Sequence, residues 1–160
     1  MSPKRIFLPE SKEVTFEEAG IDPRGMITRT DKFGIITFAS RAFRKMTQFS
    51  KEELIGKTHS IVRHPIMPKI VFKEMWDMLK QGKTWRGPVI NMRKDGKYYW
   101  VDVEISPIDK NGNIIENEPE KIEGYIAIRK KLSDFNKQKA LEKYIKLKEK
   151  EYSEMVRNKI

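Results

Sequence analysis

The chain has 160 residues and no cysteine, and 33 Lys and Arg against 23 Asp and Glu leave a formal charge of +10. That length holds one domain with an appendage, and the missing cysteine removes disulfides, thiolate zinc sites, cysteine nucleophiles and cysteine-held iron–sulfur clusters. No stretch approaches the roughly 20 apolar residues of a membrane span, and Lys interleaves with Glu without the aromatic-spaced basic block of a single-strand binding groove; the chain reads as cytoplasmic, its positive charge as solvated surface, with no nucleic-acid binding and no membrane insertion.

Residues 1–24 hold Pro3, Pro9 and Pro23 around a short acidic stretch, Val14 to Ala19, closed by Gly20, and read as an N-terminal arm or cap. From Met26 to Thr30 and from Ile35 to Phe38 apolar residues alternate on either side of Asp31-Lys32-Phe33-Gly34, which predicts a hairpin. Ser40 caps a short helix over 41–47, and Ser50 with Glu53 opens a second one that stops at Gly56. Residues 57–67 mix polar and apolar types between Gly56 and Pro68, an irregular connector of the kind that lines sites. Between Pro68 and Gly82, Ile70, Val71, Phe72, Met75, Trp76, Met78 and Leu79 recur at threes and fours, predicting the main amphipathic helix.

Three strand-like runs follow, Trp85 to Met92, Tyr98 to Ile108 and Ile122 to Arg129, separated by the turn Lys94-Asp95-Gly96-Lys97 and a polar loop over 109–121. The order of elements specifies an α+β domain over 25–131: a five-stranded antiparallel sheet with short helices and one main helix packed on one face. Residues 132–160 lack Pro and Gly and place Leu141, Ile145, Tyr152 and Met155 on one stripe that Lys148 interrupts. This predicts an amphipathic C-terminal helix for signalling or dimerisation.

The series Arg63-His64-Pro65-Ile66-Met67-Pro68, Phe72-Lys73-Glu74-Met75-Trp76, Gly82-Lys83-Thr84-Trp85-Arg86-Gly87, Asn91-Met92-Arg93-Lys94-Asp95-Gly96 and Tyr98-Tyr99-Trp100-Val101 resembles the Aer-like PAS domains of bacterial aerotaxis and energy-taxis receptors, over roughly residues 26–130. The resemblance implies a PAS fold that holds FAD non-covalently and reports its redox state, without enzymatic activity. It also implies delivery of the signal in trans to a membrane chemoreceptor, as by the stand-alone PAS proteins of bipartite energy-taxis systems, and a homodimer. By the same resemblance Arg63, His64, Trp76, Trp85 and Asn91 lie in or beside the flavin pocket. The chain departs from the family pattern at Ile66, where aspartate is usual, and at Ser40, where a cofactor-contacting asparagine is usual. It departs again at Met92, usually arginine, and near Thr58 and Ser60, usually asparagines, so the expected pocket is more apolar.

A flavin needs an apolar slot, partners for its pyrimidine edge and a cation where negative charge resides, and Trp76 with Met78, Asn91 and Arg63 are of those types. Each has a plainer role beside it: Trp76 and Met78 as core on an amphipathic helix, Asn91 as a buried amide tying down a neighbouring loop. His64 is either the axial ligand of a haem, the alternative cofactor, or an anchor of the connector through a backbone hydrogen bond. His59 and His64, five apart with no carboxylate cluster beside them, do not make a metal site. A PAS module without cofactor, serving interaction or dimerisation, is the alternative from another class.

Overall fold

A computed structural model describes residues 12–158. The start of the arm, with Pro3 and Pro9, and the last two residues of the expected C-terminal helix lie outside the described residues. Short capped helices open the fold because their polar flanks satisfy the free N–H groups of the first turn. Thr15 and Glu18 cap α1 (Phe16–Ala19) reciprocally, and Ser50 and Glu53 do the same for α3 (Lys51–Leu54). Between them run β1 (Met26–Asp31), β2 (Ile36–Ala39) and α2 (Arg41–Thr47). The Asp31 carboxylate closes the hairpin turn by accepting from the N–H groups of Phe33 and Ile35, at 2.9 and 3.0 Å.

After a 3-10 turn at His59–Val62 come the main helix α4 (Lys69–Lys80), β3 (Trp85–Met92), β4 (Tyr98–Ile108), β5 (Gly124–Lys130) and α5 (Asp134–Asn158). The expected start of β5 at Ile122 shifts to Gly124, because a 3-10 turn at Pro119–Lys121 ties the Ile122 N–H to the Pro119 carbonyl. The loop expected to be polar also buries Ile115, which donates its N–H to the Pro107 carbonyl.

The five strands form one antiparallel sheet in the order β2-β1-β5-β4-β3. The last strand therefore enters the middle, beside the first. Strand side chains alternate between faces, so register decides what points inward. Thr28, Ala127, Ile105 and Trp85 lie opposite one another in a row across β1, β5, β4 and β3. Met26, Arg129, Val103 and Gly87 make the next inward row. Helices α2 to α4 pack on this face, where Phe43, Met46, Leu54 and Leu79 are fully buried.

Helix α5 returns along β3, the edge strand, where a proline at position 88 costs no ladder donor. Tyr144 donates its hydroxyl to the Pro88 carbonyl at 2.5 Å and stacks its ring on Trp100 at 6.4 Å. The helix does not present the expected stripe as one free seam. Ala140 and Tyr144, four apart, are the buried pair; Leu141 and Ile145 pack partly against the same core, and Met155 stays exposed. A row at spacing four follows a straight helix on a globular surface, whereas a heptad suits a supercoil.

Candidate functional site

Between α4 and the inner face of the sheet lies a cavity of about 370 Å³, inside the roughly 300–1,000 Å³ typical of small-molecule sites. Its walls come from α4 through Phe72, Met75, Trp76 and Leu79, and from the sheet through Trp85, Val89, Val103, Tyr125 and Ala127. Trp76 meets Tyr125 edge to face at 5.2 Å, joining helix to sheet. Trp85 lies so close over Gly87 that a Cβ there would come within 2.7 Å of the indole, which accounts for a glycine in mid-strand.

The connector supplies about half of the polar lining, Thr58, His59, Ser60 and Arg63. Arg63 pairs its backbone with Asn91 on β3, which places both at the cavity. The Arg63 guanidinium stands 4.3 Å from the centre of the Phe72 ring. The Asn91 amide, oriented to suit its neighbours, donates to the Val62 carbonyl at 3.3 Å. Asn91 thus holds the connector onto the sheet while also lining the cavity. Thr58 and Ser60 line it as well, their hydroxyls 2.6 Å apart.

Of the residues expected at a site, Arg63, Trp76, Trp85 and Asn91 share this cavity, and His64, Ser40 and Met78 lie outside its lining. His64 is buried with its edge toward Tyr98, and its Nδ1 accepts from the Ile66 N–H at 3.0 Å. Burial lowers its pKa to about 4, so it anchors the connector as a neutral ring. Met78 sits one residue before the buried Leu79, about 100° round the helix, and is 36% exposed. Ser40 joins three elements: its hydroxyl donates to the Gly25 carbonyl at 2.6 Å and accepts from the N–H groups of Ile27 and Phe43. Ser40→Ala is expected to cost about 2 kcal/mol in urea denaturation, a lost cap plus buried groups left unpaired, without changing what the cavity binds. Ile66 and Met92, two further departures from the family pattern, are also outside the lining.

Sequence reading missed three residues of the lining that stand together. Thr28, fully buried, places its hydroxyl 2.9 Å from His59 Nε2 and accepts from Arg129 Nη1 at 3.0 Å. The donor in the Thr28–His59 bond is set by the histidine tautomer, since the Thr28 hydroxyl can accept from Arg129 and still either donate to or accept from Nε2. Burial, with Arg129 nearby, lowers the His59 pKa to about 3. Arg129 could have been found by register, since it alternates with Tyr125 and Ala127 on the inward face. Among the described residues no group of three or more His, Asp or Glu is placed to hold a metal.

A profile of the PAS fold matches residues 36–118, about half of the chain. The chain belongs to the PAS fold family. It is 38% identical over 113 residues to the aerotaxis receptor of Escherichia coli (strain K12), covering 71% of this chain and 21% of the relative. It is 32% identical over 107 residues to a nitrogen fixation regulatory protein of Klebsiella pneumoniae, covering 67% and 20%. The chain thus spans about a fifth of these relatives. Among solved structures, the dark form of the blue-light photoreceptor Aureochrome1 LOV superposes with a TM-score of 0.59 at 20% identity, covering 87% of this chain and 99% of that one. A light-oxygen-voltage domain studied with a flavin analogue gives 0.59 at 20% identity, covering 74% and 85%. These likenesses establish the PAS architecture and a relationship to the aerotaxis receptor. No helix among the described residues is long and apolar enough to cross a membrane.

Proposed function

We propose that this PAS domain is a cytoplasmic redox sensor that holds FAD in the cavity and signals in trans to a membrane chemoreceptor. One observation carries the reading: the lining is aromatic and aliphatic, holds two arginines and one asparagine, and contains no carboxylate. A bound flavin would supply reversible electron transfer and a ring whose charge changes with redox state. For their part, Trp76, Tyr125 and Trp85 offer flat apolar surface, Asn91 and the Thr58–Ser60 pair offer hydrogen bonds, and Arg63 and Arg129 offer positive charge. The likeness to an aerotaxis receptor points the same way.

Haem has less support, because His64 is spent on the Ile66 N–H and the cavity histidine, His59, faces Thr28 through Nε2. The route outward runs through α5, which touches both walls. Tyr144 holds the β3 carbonyl next to Val89, and Glu151 accepts from the Ile70 N–H in the first turn of α4 at 3.4 Å. A change in either wall shifts a contact of α5, the element available to a receptor or to a second copy of the chain.

The test is the visible spectrum of protein purified without added cofactor, followed by chromatography of whatever denaturation releases. A flavin spectrum that dithionite bleaches is the expected result. A Soret band transfers the reading to haem, and protein that stays colourless after incubation with FAD removes the sensor reading in favour of an interaction module.

A further inference from the structure

The core side of α5 holds Ala140 and Tyr144, and the side turned away from the core carries Lys139, Lys143, Lys146, Lys150 and Arg157, all exposed. At about 100° and 1.5 Å per residue these cations fall within a sector of about 60° and along a row of about 27 Å. None of the five enters an ion pair among the described residues. Lys139 lies over the exposed ring of Phe135, one turn earlier, at 5.2 Å.

The carboxylates of α5 are committed elsewhere or stand beside the row. Asp134 pairs with Lys137, Glu151 with Lys148 and the Ile70 N–H, and Glu142 accepts from Gln138 at 3.1 Å. Glu142 and Glu149 mark one border of the row and Glu154 the other. Like charges three and four apart destabilise a helix. Lys139, Lys143, Lys146 and Lys150 therefore crowd one face with a repulsion that no ion pair among the described residues relieves.

We propose that this row is the docking face for an acidic helix of a partner protein, one with carboxylates at the matching spacing of four, three and four. Width decides against a bilayer. A plane of lipid headgroups meets Glu142, Glu149 and Glu154 together with the lysines, whereas a helix about 10 Å across fits between those borders. A second copy of the chain does not fit either, since α5 against α5 at this face sets lysine against lysine. The acidic stretch from Glu116 to Glu123 is a loop with one 3-10 turn, Pro119–Lys121, too short to reach along the row. A helical partner takes its register from the row itself, as at the flanking charged positions of a coiled coil. The proposal gives a chemistry to the partner in the reading of signalling in trans and rests on that reading, while what the cavity holds does not enter it.

The test uses the full chain and a fluorescent, alanine-based peptide helix of about 25 residues with glutamates at that spacing. A second peptide has the same composition with its glutamates spread around the helix. By fluorescence anisotropy the parent is expected to bind the first peptide about tenfold more tightly than the second, and added salt weakens the binding. Lys139→Gln, Lys143→Gln, Lys146→Gln and Lys150→Gln together are expected to lower the affinity by about tenfold, four pairs at the modest strength of exposed ion pairs. Circular dichroism is expected to be unchanged, because Gln and Lys have similar helix propensity. Lys32→Gln, Lys57→Gln, Lys80→Gln and Lys110→Gln together remove the same charge from other exposed sites, and this control is expected to bind as the parent does. Absent binding, equal binding of the two peptides, or an equal loss in the control overturns the proposal. Flotation of the parent with phosphatidylglycerol vesicles that the row variant loses gives the row to a bilayer, and a sedimentation coefficient that differs between parent and row variant gives it to a second copy; each overturns the proposal as well. The probe is a peptide, so a positive result stands whether or not a chemoreceptor is the partner in trans.

Discussion

Acidification from pH 7 to pH 5 is expected to cost this domain up to about 4 kcal/mol of unfolding free energy, above the range in which most carboxylates titrate. The effect comes from His59 and His64, whose pKa values fall to about 3 and about 4 in the folded protein from an ordinary 6.5. In this window the unfolded chain binds protons that the folded one refuses, so stability is full above pH 6.5 and drains as pH falls toward the folded values. Each histidine contributes up to about 2 kcal/mol over the two pH units, at about 1.4 kcal/mol per unit once fully engaged. The figure is an upper bound for His59, which is only half-buried and lines the cavity.

The carboxylates pull the same way but in a lower range. Glu17, Glu53, Asp95 and Asp109 all have lowered pKa values, through hydrogen bonds to Lys131, Lys94, Arg93 and local N–H groups, and so lose most of their stabilisation below about pH 4.5. Urea midpoints between pH 7.5 and 5 therefore isolate the histidines. His64→Asn, whose carbonyl can still accept from the Ile66 N–H, and His59→Gln are each expected to remove about half of the slope. A slope unchanged in the double variant would show that the two imidazoles are solvated, and with them the connector.

Most of the framework was legible because it is written in local chemistry. Ser40 and Ser50 announce helices through capping, Asp31 and Gly34 announce a tight turn, and β3 and β4 run between the limits that alternation predicts. The cavity was legible only in part. Trp76 and Trp85 stand out by size, and Arg63 and Asn91 by the family pattern, but Met78 shows how two neighbours on one apolar helix face differently. Thr28, His59 and Arg129 are far apart in sequence and meet only because β5 inserts next to β1. No local pattern encodes that pairing, and an arginine in a strand reads as surface until its register is known. The same holds for α5, whose stripe suggested an external partner while its buried pair, Ala140 and Tyr144, had one within the chain.

The insertion of β5 next to β1 also locates the position least able to change. Gly124 opens β5 between Asp31 on β1 and Ile108 on β4. A Cβ added there would lie 2.2 Å from the Thr30 carbonyl oxygen and 3.3 Å from its carbon, both backbone atoms that no side-chain rotation can move aside. Gly124→Ala must therefore part β1 from β5 at the end that carries Thr30 and Tyr125, both in the cavity lining. The expected cost is about 3 kcal/mol or more, the upper range of overpacking in a close-packed interior. Urea denaturation reads the loss, and a folded variant within about 0.5 kcal/mol of the parent would mean that β1 and β5 do not approach as closely as this register requires. The consequence extends to ligand binding, because opening this end separates Thr30 from Tyr125 while leaving Arg129, five residues along the strand, still opposite Met26. On the flavin reading, weaker FAD uptake by the folded variant is therefore the expected pattern, read by titration against the parent.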